Sequence, residues 1–243
     1  MANTRHRHIQ QEMAFPRHGG KRPGAGRPPK GRRSSEPHKR RAPHDRRHPV
    51  HVTVRVVPEL AALRRRDNFA AIRWATLAIA KRDDFRIVHC SVQRNHLHLI
   101  VEAQTRTALS RGMQGLQISA AKHLNAALGA RTGTRRTGRV FSDRFHARDL
   151  SSPRAVRHAL AYVLNNWRRH NEDRAAFATT WRVDPYSTAV DFPDWRELGD
   201  SPFLYQPPRS YLALIAWLPK TWLLREGWRR HGPISIYEVP GPR

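Results

Sequence analysis

The feature that most constrains the fold is the run Asn95–Glu102, which reads NHLHLIVE. Side chains in a β-strand alternate between two faces with a period of two. His96 and His98 therefore share one face, while two leucines and a valine share the other. The apolar face predicts a strand that covers a hydrophobic core. Two neutral imidazoles side by side on a rigid strand form half of a divalent-metal site. The alternative is a half-exposed hairpin whose polar face carries the two histidines without binding a metal.

The segments around this run predict an α+β domain. Hydrophobic periodicity places strands at 51–57, 85–93, 96–103 and 140–150, and helices at 69–82, 107–128 and 153–171. Gly129 is the expected end of the second helix, and Ser152 followed by Pro153 is the expected start of the third. The first six elements follow the β-α-β-β-α-β order of the ferredoxin-like, or split βαβ, fold with one antiparallel sheet. Because RNA-recognition-motif domains share this frame, the fold alone does not give a function.

The charge of the chain predicts a polyanionic partner. Its 45 Lys and Arg residues against 19 Asp and Glu residues give a formal net charge of +26. Nucleic acid is the first candidate for that partner, and an anionic membrane surface is the second. No apolar run approaches the length of about 18 residues that a spanning helix needs, and the N-terminal residues lack the apolar segment of a secretory signal. The single cysteine, Cys90, excludes an intramolecular disulfide and a cysteine-based zinc cluster, which favours a reducing, cytoplasmic setting.

The N-terminal residues 1–48 are predicted to form a disordered basic arm. They carry 14 Lys and Arg residues against 3 Asp and Glu residues, and they hold little that forms a core. Within the arm, residues 23–31 (PGAGRPPKG) resemble the core of an AT-hook, with Arg27 and Lys30 as its cations. Two interpretations stay open for the arm, specific binding in a minor groove and non-specific binding to phosphates. The folded domain is expected over residues 49–172.

Two segments outside the core elements have more than one interpretation. The basic loop at residues 131–139 (RTGTRRTGR) is either an exposed linker or a clamp on a nucleic-acid backbone. The C-terminal extension, residues 173–243, carries five tryptophans, which argues against disorder. Two short helices are expected in it, at 211–218 and 221–231. The extension either packs on the main domain or forms a small accessory DNA-binding unit.

The last predicted helix of the domain carries a tyrosine opposite its apolar stripe. Successive helical residues turn by about 100°. The stripe consists of Val156, Leu160, Val163, Leu164 and Trp167. Tyr162 lies in the middle of the opposite, polar side, between His158 and Asn166. A phenol held on a rigid helix in this way is a candidate nucleophile, and Asn166 offers an amide oxygen to a metal. The alternative is a surface tyrosine whose ring lies over neighbouring arginine stems.

These two motifs together carry a resemblance to a known family. His96-Leu97-His98 fits the His-hydrophobic-His motif of the HUH endonucleases. Tyr162-Val163-Leu164-Asn165-Asn166 is similar to the nucleophile helix of single-tyrosine transposases. Over residues 50–171, the chain resembles the REP-associated tyrosine transposases of bacterial genomes. It departs from them in two places, since Trp167 stands where relatives often have Pro, and Gln93-Arg94 stands where they usually have Met-Pro.

The resemblance implies a metal-dependent enzyme that nicks and rejoins single-stranded, hairpin-containing DNA without a nucleotide cofactor. It implies that Tyr162 is the nucleophile and forms a 5′-phosphotyrosine. His96, His98 and Asn166 would then be the ligands of Mg²⁺ or Mn²⁺. Contacts to DNA phosphates are expected from the following basic residues: Arg27, Lys30, Arg135, Arg136, Arg139, Arg144, Arg148, Arg168 and Arg169. The chain is therefore expected to be a cytoplasmic, nucleoid-associated transposase, with homodimer formation left open. The alternative is a non-catalytic nucleic-acid-binding protein on the same fold, a transposase relic.

Overall fold

One antiparallel sheet is built from β1 (Val50–Arg55), β2 (Phe85–Val92), β3 (His96–Ala103) and β4 (His146–Asp149). The computed structural model describes residues 43–174, 182–198 and 211–241, so residues 1–42 of the predicted arm lie outside the described residues. The spatial order of the strands is β2-β3-β1-β4, and each neighbouring pair is antiparallel. This order is that of the ferredoxin-like fold, so the predicted fold class is confirmed.

Helices cover both faces of the sheet. They are α1 (Arg66–Ala78), α2 (Arg106–Thr132), α3 (Pro153–Leu164), α4 (Asn166–Arg169) and, in the extension, α5 (Trp222–Arg225). On one face, α1 and α2 bury the valines of β1 together with Leu97 and Leu99 of β3. On the other face, α3 packs against Val88 and Ile100. All residues of β3 are therefore buried, including both histidines, and β3 is not the half-exposed strand of the alternative interpretation.

The end of α2 differs from the prediction, because the helix continues past Gly129 to Thr132. Gly133, with φ of 72°, adopts the left-handed conformation in which glycine ends a helix without strain. Gly129 has a different role, since a Cβ atom there would lie 3.2 Å from the carbonyl oxygen of Thr134. The absence of a side chain at Gly129 thus lets the basic loop fold back on the helix.

The fourth strand is shorter than the predicted segment 140–150. Only His146–Asp149 pairs with β1. Before it, Ser142 donates its backbone N–H and its hydroxyl to the carbonyl oxygen of Arg55, at 3.0 and 3.2 Å. These bonds replace a regular ladder, so the chain bends before it enters β4.

The last helix of the domain begins as predicted but does not continue to residue 171. The Ser152 hydroxyl accepts a hydrogen bond from the N–H of Ala155 at 3.2 Å, which confirms the predicted cap. The helix breaks at Asn165, with φ of −108° and ψ of 16°. The side-chain amide of Asn165 donates to the carbonyl oxygen of Ser235 at 2.9 Å, so the extension is anchored at this break.

Residues 211–221 of the extension lie along the edge of the sheet. The Trp217 N–H donates to the carbonyl oxygen of Ile87 at 2.8 Å. The buried carboxylate of Glu102 accepts from the N–H groups of Lys220 and Thr221 at 2.7 to 3.0 Å. The helix predicted at 211–218 is therefore wrong, because backbone donors of this segment bond to the sheet instead of to each other.

The rest of the described extension covers α3. Trp195 and Trp228 are buried in the hydrophobic cluster that α3 forms with the sheet, and both Trp217 and Trp222 are about half exposed (48% each). Of the helix predicted at 221–231, α5 and a short 3₁₀ helix at Gly227–His231 are present. Within the described ranges, none of the helices combines the length and the hydropathy needed to cross a membrane.

Candidate active site

Two histidine rings meet on the face of the sheet that α3 covers. His96 Nε2 and His98 Nε2 lie 2.9 Å apart, and the two side chains are only 8% and 3% exposed. The alternation of β3 places both rings on one side of the strand. Because β3 is paired with β1 on one edge and β2 on the other, its backbone holds the rings at this separation.

The state of the His96 ring is fixed by Asn95 and by burial. His96 Nδ1 lies 2.7 Å from Asn95 Oδ1, an oxygen that only accepts hydrogen bonds, so Nδ1 carries the ring proton. Burial, together with the positive charge of Arg55, lowers the pKa of His96 to about 4. The ring is therefore neutral at neutral pH, and the lone pair of its Nε2 points at His98.

His98 is contacted on its other nitrogen by two side chains of β1. His51 Nε2 and Thr53 Oγ1 each lie 3.2 Å from His98 Nδ1. Thr53 is the cross-strand partner of His98, and His51 is two residues away on the same face of β1. His51 was not among the site residues predicted from the sequence. The alternation of residues 50–55, combined with an antiparallel pairing of β1 and β3, is the pattern that would have found it.

The candidate nucleophile lies directly over these rings. The ring centroid of Tyr162 is 5.0 Å from that of His98 and 5.8 Å from that of His51, both edge to face. Tyr162 is half-buried, and its neighbours Asn165 and Asn166 are buried. Tyr162 therefore faces the sheet, whereas His158, one turn earlier on the same side of α3, is exposed. The tyrosine and the histidine pair converge in space, and Tyr162 is not the surface tyrosine of the alternative interpretation.

Asn166 carries a buried amide, and neither its Oδ1 nor its Nδ2 has a hydrogen-bond partner among the described residues. In sequence it comes four residues after Tyr162, across the break at Asn165, and four residues before His170, whose ring centroid lies 5.7 Å from that of His96. The resemblance to single-tyrosine transposases makes this buried, unpartnered amide the candidate third ligand.

The residues of this site fit a divalent metal ion. Within the described residues, no group of three His, Cys, Asp or Glu side chains is placed to hold one, so the histidine pair needs a ligand of another kind. Asn166 supplies an unpartnered amide oxygen, a group that binds hard divalent cations. The 2.9 Å between the two Nε2 atoms is close to the separation of about 3.0 Å for two nitrogens bound at right angles at about 2.1 Å.

A cavity of about 370 Å³ opens beside Tyr162. Its wall includes His51, Arg148, His158, Tyr162 and Glu238. Arg157 forms an ion pair with Glu238, and Arg169 donates to the carbonyl oxygen of Gly241 at 2.7 Å. Two arginines of the α3–α4 region thus hold the end of the extension against the mouth of the site.

The basic residues predicted to contact DNA differ in their surroundings. Four have guanidinium groups bonded to neighbouring parts of the protein: Arg136, Arg139, Arg168 and Arg169. Arg135, Arg144 and Arg148 are exposed, and Arg148 also lines the cavity beside Tyr162. Arg27 and Lys30 lie outside the described residues. The structure therefore brings Arg148 to the candidate site but ties Arg168 and Arg169 to the extension.

Comparison with known proteins gives one family match. Residues 50–166 match the family model of IS200-like transposases. Among solved structures, a REP-associated tyrosine transposase bound to a REP hairpin is 16% identical, with a TM-score of 0.48, covering 76% of this chain and 93% of its own. A "putative transposase" from Deinococcus radiodurans R1 is 13% identical, with a TM-score of 0.36, covering 58% of this chain and 98% of its own. No curated protein matches the chain.

Proposed function

We propose that the chain, whose residues 50–166 match the family model of IS200-like transposases, cleaves and rejoins single-stranded DNA through a covalent bond to Tyr162, with a divalent metal ion. The observation that carries this proposal is the contact of the Tyr162 ring with His98, whose Nε2 is paired with that of His96. A protein that only binds nucleic acid needs no tyrosine packed on a histidine pair. This contact therefore favours catalysis over the non-catalytic alternative.

The proposed reaction is a transesterification at a DNA phosphodiester. The deprotonated oxygen of Tyr162 attacks the phosphorus, the bond between phosphorus and the 3′ oxygen breaks, and that oxygen takes up a proton as the phenol has given one up. The products are a 5′-phosphotyrosine and a free 3′-OH. A later 3′-OH attacks the phosphotyrosine in the reverse sense and joins the strands. No nucleotide cofactor is required, because the phosphotyrosine link conserves the energy of the broken phosphodiester bond.

Three groups would hold the metal ion, either Mg²⁺ or Mn²⁺: His96 Nε2, His98 Nε2 and the amide oxygen of Asn166. When bound, such an ion offsets the charge of the phosphate oxygens and orients the phosphate. Asn95 keeps His96 in the tautomer that leaves Nε2 unprotonated, through the 2.7 Å contact at Nδ1. The packing of Tyr162 on His98 keeps the phenol next to the place where the phosphate is held.

We propose hairpin-containing, single-stranded DNA as the substrate, held mainly through its phosphates. The formal net charge of +26 supports a strong electrostatic contribution to binding. Arg148 lies at the cavity beside Tyr162, and the exposed Arg135 and Arg144 extend the basic surface of the domain. The arm with Arg27 and Lys30 adds further cations, so we expect nucleoid association and an affinity for DNA that falls steeply with salt.

The test is the formation of a protein–DNA adduct that survives SDS. Labelled single-stranded hairpins from the DNA that flanks the gene are incubated with the full chain and Mn²⁺ or Mg²⁺. We expect an adduct with the wild type and none with Tyr162→Phe or His96→Ala. Tyr186→Phe is the matched control, because it removes the same hydroxyl from a ring that packs elsewhere. The Tyr186 ring lies 5.0 Å from the ring of Phe69 and 4.4 Å from the guanidinium carbon of Arg64.

Two outcomes would contradict the proposal. An adduct that persists in Tyr162→Phe and disappears in Tyr186→Phe would move the nucleophile to the control residue. Tight DNA binding with no adduct or cleavage, with either metal and with hairpins from both flanks of the gene, would favour the non-catalytic binding protein.

A further inference from the structure

We propose that His51 is a positioning residue, which holds His98 in the tautomer that leaves its Nε2 available to the metal. This inference rests on the proposed function, because it assigns His51 a role toward the same site. His51 is buried, and its Nε2 lies 3.2 Å from His98 Nδ1. It therefore acts through His98 rather than on the substrate.

The tautomer of His98 decides whether both histidines can bind one metal ion. A neutral imidazole carries its proton on one nitrogen and a lone pair on the other. His98 Nε2 faces His96 Nε2 at 2.9 Å, and His96 Nε2 already carries a lone pair because Asn95 fixes the proton on Nδ1. For both Nε2 atoms to bind one ion, the His98 proton must reside on Nδ1, and a group that accepts it must lie there.

Among the described residues, His51 Nε2 and Thr53 Oγ1 each lie 3.2 Å from His98 Nδ1 and are placed to accept that proton. His51 accepts it when its own ring proton is on Nδ1, and Thr53 accepts it through its hydroxyl oxygen. The two are not equivalent, however. Thr53 is only partly buried, so a water molecule can replace its hydroxyl. His51 is buried, and its ring packs against those of His98 and Tyr162, so the acceptor is held in one place.

The backbone fixes His51 more firmly than a loop residue would be fixed. β1 is an interior strand, and His51 is paired with Ile100 of β3 on one side and with Arg148 of β4 on the other. The His51 ring also contacts the edge of the Tyr162 ring, at a centroid distance of 5.8 Å. One rigid side chain thus touches both the proposed ligand His98 and the proposed nucleophile Tyr162, which sets their relative position.

The first test measures Mn²⁺ affinity of the full chain by calorimetry, without DNA. Outer-shell partners of metal-bound histidines typically contribute about 10- to 100-fold to affinity. We expect His51→Leu, which cannot accept the proton, to weaken Mn²⁺ binding by about tenfold or more. His51→Gln, whose amide oxygen can accept it, should recover most of the affinity. Thr53→Val removes the other partner of the same atom and should change the affinity by less than about threefold, because water replaces the hydroxyl.

A second readout covers the case in which His51→Leu does not fold. In the Mg²⁺-loaded wild type, ¹⁵N NMR of the histidine rings should show the His98 proton on Nδ1. A proton on Nε2 would overturn the inference, whatever the variants do. Equal Mn²⁺ affinity of a folded His51→Leu chain and the wild type would also overturn it.

The Mn²⁺ affinity of His96→Ala distinguishes a failure of this inference from a failure of the proposed function. If His96→Ala loses Mn²⁺ affinity and His51→Leu does not, only the role of His51 is wrong. If His96→Ala binds Mn²⁺ like the wild type, or the wild type binds none, the proposed metal site itself is wrong and the role of His51 fails with it.

Discussion

Replacing Asn166 by leucine should stabilise the protein while it abolishes metal binding. Asn166 is fully buried, and both polar atoms of its side chain lack hydrogen-bond partners among the described residues. Leucine has the same number of side-chain heavy atoms and the same branching, but it has no polar group to leave unsatisfied. The substitution therefore removes a cost to folding and the proposed metal ligand at the same time.

The magnitude of the effect follows from the burial of Asn166. An unsatisfied buried donor or acceptor costs about 1–3 kcal/mol, and the amide of Asn166 carries both kinds. The somewhat larger volume of leucine offsets about 1 kcal/mol of the gain through tighter packing. A net increase of about 2 kcal/mol in the free energy of unfolding is expected. For a domain of this size that corresponds to a rise in Tm of about 4–8 °C.

The assay is thermal unfolding of the full chain with and without Mn²⁺. An ion that binds only the folded state, at about 100 times its Kd, adds about 2.7 kcal/mol. The wild type should therefore gain stability from Mn²⁺, and Asn166→Leu should not. Asn165→Leu is the matched control, because Asn165 is equally buried but donates to the carbonyl oxygen of Ser235 at 2.9 Å. Losing this hydrogen bond in Asn165→Leu should lower the free energy of unfolding by about 1–2 kcal/mol.

Three results would refute this reasoning. A lower Tm of Asn166→Leu without metal would show that the Asn166 amide is satisfied in the folded protein. An undiminished Mn²⁺-dependent rise in Tm in the same variant would show that Asn166 is not a ligand. Stabilisation in Asn165→Leu as well would mean that leucine stabilises this break in the helix for a reason unrelated to the amide.

The other predictions concern stability. Glu102→Ala should lower the free energy of unfolding by about 1.5–3 kcal/mol in a denaturant titration, because the carboxylate accepts hydrogen bonds from the N–H groups of Lys220 and Thr221. Limited proteolysis of the variant should then cut more readily near residues 215–221. Burial lowers the pKa of His89 from 6.5 to about 4, so the unfolded chain binds more protons between these values and stability falls as the pH drops through that window. His89→Gln should remove up to about 3 kcal/mol of this loss, measured as the difference in unfolding free energy between pH 7 and pH 4. Gly133→Ala should lower the free energy of unfolding by about 1 kcal/mol, because the φ of 72° at this position is strained for alanine. The control is an alanine-to-glycine change at an exposed position elsewhere in α2, which tests whether helix propensity alone explains the loss.

The local signals in the sequence predicted the local features of the structure. The bounds of β3 are those expected from its alternation, and the Ser152 cap forms as its residue type and position indicate. Both depend on interactions within a few residues. The end of α2 was wrong because two glycines, Gly129 and Gly133, are both plausible stops, and only the backbone of the following loop decides between them.

The features that the sequence did not predict depend on contacts between distant segments. His51 joins the site through the pairing of β1 with β3, a register that no local pattern specifies. The last helix was expected to run to residue 171, yet it breaks at Asn165, whose buried side chain bonds to Ser235 of the extension. Residues 211–218 were expected to be helical, but the Trp217 N–H bonds to Ile87 at the sheet edge. In each case the tertiary contact overrides the local preference.

The two faces of the sheet show why folding alone does not account for this site. The face beneath α1 and α2 is apolar throughout β1 and β3, whereas the opposite face buries three histidines, His51, His96 and His98. Burying polar groups costs free energy that apolar residues of similar volume would not cost. A protein that bound DNA only through surface charge would be more stable with aliphatic residues at these positions. The buried histidines therefore argue for a chemical role, because His51 contacts His98, His98 pairs with His96, and Tyr162 packs on His98.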